Sequence, residues 1–360
     1  MASTSISTSH DLRVQQWDAK AFQQYLAKFV MKPYMGTSTE SLIQVKDELG
    51  KEKGDKLWLP LVSALTGSGT TGTTTLEGNE EAMNFYGFSM ELELYRNAVR
   101  FLGSLSSKRT PFDLKDTARP ALTSWLAQLQ EDQCFTALGS VDGVLYASAT
   151  AGQKNTWNSN NSDRVLYGAA VSNYNATHAT ALGNVDSTND ILNPAQGSLA
   201  RRRARLANPK IRPIKMENGE EWYVLFAHPR CIRDFKASSV YQNAMLYAME
   251  RGKDNPLFTA AAAAYDGVIY VETERVPIYT GVGNGSIDVA HNFLCGAQAL
   301  GMIASGFADR GGAMTPMTEK YFDYDEQWGC AIKSMHKIEK IRFNSKDHGV
   351  VSVFSAAVAD

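Results

Sequence analysis

A long β-hairpin between residues 51 and 101 constrains the fold of this chain more than any other feature of its sequence. In both arms apolar residues recur at every second position, which is the pattern of strands with one buried face. The first arm places Leu57, Leu59 and Leu61 on one face, and the return arm places Phe88, Met90, Leu92 and Leu94 on one face and Ser89, Glu91, Glu93 and Tyr95 on the other. The sequence therefore predicts two long, half-buried strands that pair with each other.

The connection between the two arms, residues 63–84, is too long for a tight turn and too rich in glycine and threonine to bury a core. We expect it to project from the body of the protein. Pro60 lies within the first arm, and proline is tolerated only at a sheet edge because it has no backbone N–H to donate. Because exposed strand edges pair readily with other chains, we expect neighbouring subunits to cover this arm.

Several collinear segments carry a resemblance to a known family. The hairpin reads GDKLWLPL and then LTGSGTTGTTTLEGNEEAMNFYGFSMELELYRNAVRF, and the later segments are EEWYVLFAHPRCIRDFK, NPLFTAAAAAYDGVIYVETERVP and FLCGAQALGMIASG. Together they resemble the major capsid proteins of tailed bacteriophages, specifically the coat protein family of phage N-four. The resemblance covers roughly residues 15–345 and is more specific than any single short motif.

The resemblance implies the Hong Kong ninety-seven capsid fold, which is an α+β fold. The implied order is an N-terminal arm with an anchoring helix (1–50), an extended β-hairpin loop (51–105), a peripheral domain with a long spine helix (106–224), an axial domain (225–320) and a return to the peripheral domain (321–360). The extended loop would contact neighbouring subunits through Leu65, Gly67, Gly69, Gly72, Leu76 and Asn79.

Residues 113–139 have the periodicity of a long amphipathic helix, the implied spine. Asp113 suits the N-cap position and Gly139 the end of the helix. Pro120 either kinks this helix or splits it in two. The apolar stripe consists of Leu114, Ala118, Leu122, Trp125, Leu126 and Leu129. A second helical pattern, in the N-terminal arm, runs through Trp17, Phe22, Leu26 and Phe29.

The remaining segments alternate between strand and helix patterns. The polar stretch 151–195, with an Asn-rich insertion at 153–163, predicts loops or an elaborated surface. EWYVLFAHP predicts a buried strand ended by Pro229, SSVYQNAMLYAMERG a helix, and Asp266-Gly267 a turn before a further strand. The segment HNFLCGAQALGMIASG is interpreted as a helix whose small residues allow close packing.

A helix after Pro194 is predicted to carry a basic patch that consists of Arg201, Arg202, Arg203 and Arg205. One interpretation is a surface that contacts the phosphates of packaged DNA without reading its sequence. The other is a solvated helix face or a strip of ion pairs between subunits. The patch also supports an alternative function, a nucleic-acid-binding module to which Lys210 would contribute.

The sequence offers weak candidates for catalysis or for cofactor and metal binding. The glycines of residues 67–73 lack the lysine of a phosphate-binding loop and lie at a hairpin tip, which disfavours a nucleotide-dependent enzyme. His228 and Cys231 lie close in sequence but without a nucleophile signature. Four single cysteines suggest buried thiols. The other histidines show no metal-binding spacing: His10, His178, His291, His336 and His348. Two acidic groups, Glu80-Glu81 and Asp323, Asp325, Glu326, are interpreted as solvated carboxylates.

Composition fits a subunit that packs against copies of itself. Lys plus Arg number 36 and Asp plus Glu 38, so the net charge of -2 gives no sign of general nucleic-acid binding. No segment suggests a secretory signal or a membrane span. The sequence thus predicts a structural capsid protein, not an enzyme, that forms hexamers and pentamers of an icosahedral phage head around double-stranded DNA. Portal, scaffold or decoration proteins are expected partners, with assembly in the bacterial cytoplasm and no cofactor.

Overall fold

The computed structural model describes residues 30–46, 54–63, 65, 67–103, 108–109, 114–215, 219–249, 263–307 and 314–358. The helical pattern predicted through Trp17 and Phe29 and the predicted cap Asp113 lie outside these ranges. Six α-helices lie wholly within them: α1 (Leu114–Leu138), α2 (Ala151–Asn160), α3 (His178–Gly183), α4 (Pro194–Leu206), α5 (Pro229–Ala237) and α6 (Ser239–Met249).

The described ranges also contain eighteen strands, most of them in two large sheets. In chain order they are β1 (Met35–Gly36), β2 (Ile43–Lys46), β3 (Lys56–Val62), β4 (Phe85–Glu91), β5 (Glu93–Phe101), β6 (Val165–Tyr167), β7 (Ile214–Lys215), β8 (Glu221–Ala227), β9 (Ala263–Tyr265), β10 (Val268–Glu272), β11 (Ile278–Tyr279), β12 (Val289–Cys295), β13 (Leu300–Ser305), β14 (Met317–Phe322), β15 (Gln327–Lys340), β16 (Arg342–Phe343), β17 (Lys346–Asp347) and β18 (Val350–Ala356).

The first large sheet is built around β15, a strand of 14 residues. Along one edge of β15 lie β14 and then β13, both antiparallel to it, and along the other edge lies β5. Strands β2 and β1 extend the sheet beyond β13 with parallel pairing. The side chains of β15 alternate between buried and half-exposed, so this sheet has one covered face and one open face.

The second large sheet has the order β6-β18-β12-β8-β10-β9 and mixes parallel and antiparallel pairs. All residues of β12 and β18 are buried, because helices or the first sheet cover both faces of these strands. Short strands β7 and β11 pair with β8 and β12.

Helix α1 lies between the two sheets and contacts both. Its N-terminal part packs Ala118, Leu122 and Leu126 against Trp328 and Ile332 of β15. Its C-terminal part contributes Cys134, Phe135 and Leu138 to the core that joins the second sheet to β2 and β13. The helix runs without interruption through Pro120, and Gly139 follows its last residue. The predicted helix is therefore confirmed, and at about 1.5 Å per residue its 25 residues span roughly 37 Å.

The prediction of a small-residue helix at HNFLCGAQALGMIASG was wrong. This segment forms the buried strands β12 and β13, joined by a turn at Ala297 and Gln298 that directly follows Gly296. A continuous apolar run is compatible with a buried strand as well as with a buried helix, because periodicity disappears when every side chain is covered. Glycine is needed just before the turn, since a Cβ atom at Gly296 would lie 2.3 Å from the carbonyl oxygen of Arg212.

The prediction of loops over the Asn-rich insertion was also wrong. Residues 151–160 form helix α2, whose first turn is stabilised by a capping box between Thr150 and Gln153. Its asparagines are not a solvated surface: the Asn158 amide donates to two backbone carbonyls, and the Asn161 amide donates to the carbonyl of Trp157. Both are fully buried, so these polar residues belong to the core.

The predicted half-buried face of the return arm needs one correction. β-pairing is interrupted at Leu92, and beyond it the buried side of the strand changes. Leu94, expected on the buried face with Phe88 and Met90, is 51% exposed. Tyr95, expected on the open face, is half-buried and lies 4.8 Å from the His336 ring, centroid to centroid.

Candidate assembly surface

Strands β3 and β4 form a hairpin where the sequence predicts one, but their pairing ends at Glu91, and the rest of the predicted return arm, from Glu93, pairs with β15 instead. Seven residue pairs connect them, from Lys56 opposite Glu91 to Val62 opposite Phe85. The inner face of this hairpin rests on the body of the protein, where Phe88 and Met90 pack with Ile303, Ile341 and Phe343. The alternation predicted for the first arm is confirmed, since Leu57, Leu59 and Leu61 pack against the same cluster.

The other face of the hairpin exposes large apolar side chains. Trp58 is 64% exposed and Phe85 is 69% exposed, and Val62 lies beside them at 50%. On the same face, the Lys56 ammonium forms an ion pair with Glu91 at 2.7 Å and lies 5.5 Å from the centroid of the Trp58 ring. Contiguous exposed apolar surface of this kind is typical of an interaction site.

Both outer edges of the hairpin are open among the described residues, because β3 and β4 pair only with each other. Each edge presents backbone N–H and C=O groups that a further strand could bind. The hairpin thus offers a second chain both apolar side chains and unpaired backbone, which agrees with the expectation that neighbours cover it.

The tip of the hairpin, residues 63–84, contains all six residues that the sequence assigned to intersubunit contact. They are exposed without exception: Leu65, Gly67, Gly69, Gly72, Leu76 and Asn79. Internal hydrogen bonds define the shape of the tip. The Gly67 N–H donates to Glu81 at 2.7 Å and the Gly78 N–H donates to Glu80 at 2.7 Å. The Asn79 amide donates to the Thr75 carbonyl at 2.9 Å.

The predicted arginine patch lies on helix α4, and three of its four members have partners within the chain. Arg201 bonds Asp266, Arg205 bonds Glu221 at 3.3 Å, and Arg203 donates to the carbonyl oxygen of Ser162 at 2.8 Å. Burial lowers the pKa of Arg203. The fourth member, Arg202, is exposed. These contacts favour a structural role for the patch, through ion pairs within one subunit, and its contact with DNA stays a prediction.

The catalytic candidates are occupied by structural roles. Nδ1 of His228 accepts a hydrogen bond from the Arg230 N–H at 3.3 Å and so caps helix α5. Cys231 is fully buried and its thiol donates to the Ala356 carbonyl, and burial raises the pKa of this thiol to about 12. The two side chains therefore do not form a nucleophile pair. As expected from the sequence, all four cysteines are buried.

The described ranges contain neither a cluster of metal ligands nor a helix suited to a membrane. Nowhere in them do three or more His, Cys, Asp or Glu side chains come together as a metal site. Over the same ranges, none of the helices combines the length and the apolar character that crossing a bilayer requires.

Comparison with known proteins shows the relatives of this chain. The sequence model of the family described as phage capsid protein matches residues 5–359. The major capsid protein of Pseudomonas phage KPP25 is 28% identical, over 95% of this chain and 94% of that protein. Among solved structures, the capsid of cyanophage Pam1 superposes with a TM-score of 0.89 and 29% identity over 100% of both chains. The capsid of Ralstonia phage GP4 gives 0.76 and 25% over 99% of both chains.

These likenesses confirm the α+β fold of tailed-phage capsid proteins that the sequence predicts. A more distant capsid agrees with this fold, since the capsid of Helicobacter pylori bacteriophage KHP30 superposes over 97% of this chain with a TM-score of 0.70 at 13% identity. The family match covers nearly the whole length, including the hairpin and both sheets. The chain belongs to the phage capsid protein family.

Proposed function

We propose that this chain is the major capsid protein of a tailed phage, whose copies assemble as hexamers and pentamers into an icosahedral shell around double-stranded DNA. The proposal is supported by the family match and by the names of the relatives described above, which are phage capsid proteins or phage capsids. On this proposal the chain is not an enzyme, and its function is self-association.

One observation from the structure carries the proposal: the exposed apolar residues are concentrated on the hairpin and the first sheet. Of the seventeen large hydrophobic residues that are exposed in the described part of the chain, eight lie within residues 58–102. Four more lie within residues 314–324, on or beside β14. Such a concentration would be a solubility liability for a monomer, but it suits a subunit that is surrounded by copies of itself.

Finer assignments follow from the same proposal. The hairpin and its tip would serve as the extended intersubunit loop, α1 as the spine helix of a peripheral domain (106–224 and 321–360), and residues 225–320 as an axial domain. Portal, scaffold or decoration proteins would be further partners, and assembly would take place in the cytoplasm of the host. Packaged DNA would contact the lumenal surface without sequence readout. Arg202 is the member of the predicted patch best placed for it, because it is exposed, whereas Arg205, also exposed, forms an ion pair with Glu221.

Assembly of the purified chain tests this function. We expect the intact chain to form rings, tubes or shells above a threshold concentration, visible by sedimentation and negative-stain microscopy. A variant in which Asn-Gly replaces residues 63–84 should keep the β3–β4 pairing, because Val62 and Phe85 are directly opposite and this dipeptide favours a two-residue turn. That variant should remain unassembled at concentrations where the intact chain assembles.

A matched pair of substitutions separates specific contact from general surface hydrophobicity. Leu76 in the tip is 60% exposed and Leu206 at the end of α4 is 74% exposed. Leu76→Ser should raise the assembly threshold, whereas Leu206→Ser should leave it unchanged. An intact chain that stays monomeric at every concentration tested would contradict the proposed function.

A further inference from the structure

Tyrosines and two buried histidines connect the loop after α1 to the second sheet. We name residues 141–149 the Tyr146 loop; Tyr146 within it is half-buried. The Tyr146 hydroxyl bonds His178 Nε2 at 2.8 Å, and its ring stacks on that of Tyr279 with 4.1 Å between the centroids. The Tyr279 hydroxyl bonds His291 Nδ1 at 3.1 Å. Tyr146 is therefore linked to one buried histidine through its hydroxyl and to the other through its ring.

The position of the proton on the neutral His178 ring follows from the bonds around it. The Asn158 amide nitrogen donates to two backbone carbonyls, so the Oδ1 atom of this residue accepts from the Tyr167 hydroxyl, at 2.9 Å. The Tyr167 oxygen is thus free to accept from the Nδ1–H of His178, at 2.6 Å. Nε2 of the same ring is then the acceptor for the Tyr146 hydroxyl.

A second proton on His178 does not fit this arrangement. It would place an N–H at Nε2, opposite the hydroxyl hydrogen of Tyr146. It would also put a positive charge on a side chain that is 2% exposed. Protonation would therefore break the bond to Tyr146 and charge a site that water does not reach.

The surroundings of the two histidine rings offer nothing to balance such a charge. Two cations lie nearby: the Lys154 ammonium is 3.9 Å from the Tyr146 ring centroid, and the Lys340 ammonium is 5.5 Å from the centroid of Trp157, whose ring contacts both histidines. Among the described residues, the carboxylate that binds the Trp157 indole is that of Asp347, and it is already paired with Lys340. The remaining titratable groups around the two rings are tyrosines: Tyr146 of the loop, Tyr167 of β6, Tyr174 beside it and Tyr279 of β11.

These surroundings keep both histidines neutral at pH 7. Burial, and then the Lys154 charge, lowers the pKa of His178 to about 4. Burial, and then the Lys340 charge, holds the pKa of His291 well below its usual value. Because His178 binds a proton more readily in water than in this cluster, acid favours a conformation that exposes it.

The Tyr146 loop is the side of the cluster that yields most easily. Tyr167 is 1% exposed, whereas Leu145 in the loop is 53% exposed. The backbone hydrogen bonds of the loop among the described residues join its own members: Val141 with Val144, and Ser148 and Ala149 with Leu145. The loop can thus move outward without breaking a strand of the second sheet, as in other local openings of folded proteins.

We propose that Tyr146 is an acid-operated latch: protonation of His178 releases Tyr146, and the Tyr146 loop moves away from the second sheet while the sheet itself stays folded. The latch belongs to the single subunit and goes beyond the proposed function, because it does not require assembly. A shell built from such subunits would loosen locally in acid before its subunits unfold.

The size of the expected effect follows from the two environments of His178. Its pKa is about 4 in the closed cluster and about 6.5 when it is exposed to water. The ratio of open to closed loops should therefore rise about twentyfold between pH 7 and pH 5.

A buried cysteine placed in the loop reports its opening. Val141 is 1% exposed, and the four native cysteines are buried as well. Thiols of Val141→Cys are labelled with a dipyridyl disulfide, which reacts in acid, and the rates are corrected for labelling of a short cysteine peptide at the same pH. Labelling of the reporter should accelerate about twentyfold from pH 7 to pH 5. The native thiols should stay unlabelled at both pH values, as they would in a chain that remains folded.

Two histidine substitutions in the reporter chain form a matched pair. His178→Gln keeps a neutral donor and acceptor but binds no proton, so the acceleration should fall to about threefold or less. His336→Gln removes a histidine whose pKa is also lowered to about 4, but which lies on β15 of the first sheet, and it should leave the acceleration near twentyfold. Ala149→Cys, at the other end of the loop, is a second reporter that guards against a disturbance caused by the substitution at Val141.

Four results would overturn the latch. Labelling of both reporters that is no faster at pH 5 than at pH 7 would show that acid does not open the loop. Rapid labelling of both at pH 7 would show that the loop is not held closed. Labelling of the native thiols together with the reporter would mean that the whole chain unfolds. Acceleration that persists in His178→Gln would assign the response to another group. None of these results bears on assembly, so the proposed function is tested separately.

Discussion

Replacing Lys340 by methionine should destabilise the folded subunit severely, because this lysine is the cation of a buried ion pair. Its ammonium bonds the Asp347 carboxylate at 2.7 Å and the Ser140 carbonyl at 2.7 Å. The same Asp347 oxygen accepts a hydrogen bond from the Trp157 indole N–H at 3.0 Å. The four residues join the end of β15, β17, helix α2 and the turn after α1, so the pair ties the long helix to the sheet beneath it.

The size of the expected loss in unfolding free energy follows from the burial of both side chains of the pair. The Lys340 side chain is 0% exposed and that of Asp347 is 3% exposed. Without the ammonium, the carboxylate would keep the indole N–H but lose its counter-ion in a site that water does not reach. Removal of one partner from a buried pair costs about 3–5 kcal/mol. That is a large fraction of a typical free energy of unfolding, about 5–15 kcal/mol.

Urea denaturation of the unassembled subunit, followed by circular dichroism, measures this loss below the assembly threshold. Lys346→Met is the matched control, because Lys346 is the neighbour of Asp347 on β17, but its side chain is 32% exposed and its ammonium lies 3.4 Å from the Asp163 carboxylate. The control should lose about 1 kcal/mol or less. The double variant Lys340→Met with Asp347→Asn should recover part of the stability, because it removes the uncompensated charge. Equal losses in Lys340→Met and Lys346→Met would refute the reasoning.

Three further predictions concern the folded subunit. Gly168→Ala should cost about 2 kcal/mol or more in urea denaturation, because Gly168 has a φ of +64° and its Cβ would lie 2.0 Å from Asp190; Gly69→Ala, with a φ of +67° but open space around it, should cost less. Burial lowers the pKa of His178 and of His336 to about 4, below the value of about 6.5 in the unfolded chain. Because the unfolded chain then binds more protons between these values, stability should fall by about 3 kcal/mol per histidine as pH drops from 6.5 through 4. The melting temperature measured from pH 7 to pH 4 checks this trend, and a flat profile, or substitutions of these histidines by glutamine that leave the slope unchanged, would contradict it. All four thiols are buried and burial raises their pKa, so a disulfide reagent should label them only after unfolding; rapid labelling of the native chain would be the opposite result.

Local patterns predicted those elements whose one face is buried and whose other face is open. The hairpin arms alternate because only one side rests on the body, and helix α1 has a stripe because only one side meets the sheet. The tip was predictable for a different reason, since a loop of glycine and threonine cannot bury a core wherever it lies. In each case the distribution of apolar and polar residues in the sequence indicates which side of the element faces solvent.

The errors arose where tertiary structure removed that boundary. Strands β12 and β13 are covered on both sides, so their sequence shows an apolar run without a period. Helix α2 was missed for the converse reason: Asn158 and Asn161 look like surface residues but satisfy backbone carbonyls inside the core. The bonds from Asn158 to the carbonyls of Asn175 and Ala176 leave no trace in the neighbouring sequence, but the capping box of Thr150 and Gln153 is a local signal that marks the start of this helix.

The basic residues of the first sheet show both what a local sequence pattern predicts and what it misses. The basic row Arg96, Ala98, Arg100 alternates plainly within YRNAVRF, but its meaning depends on Lys320 and Lys333, which strand pairing brings beside it from more than two hundred residues away. The change of buried side at Leu92 is equally non-local, because it requires β4 to rest on Ile303 and β5 to join β15. That change has a functional consequence. The even-numbered residues of β4 pack against the body, whereas the even-numbered residues of β5, the next strand along the chain, are exposed. The segment that carries the tip therefore also exposes a row of apolar and basic side chains on β5, which includes Leu94, Arg96 and Arg100.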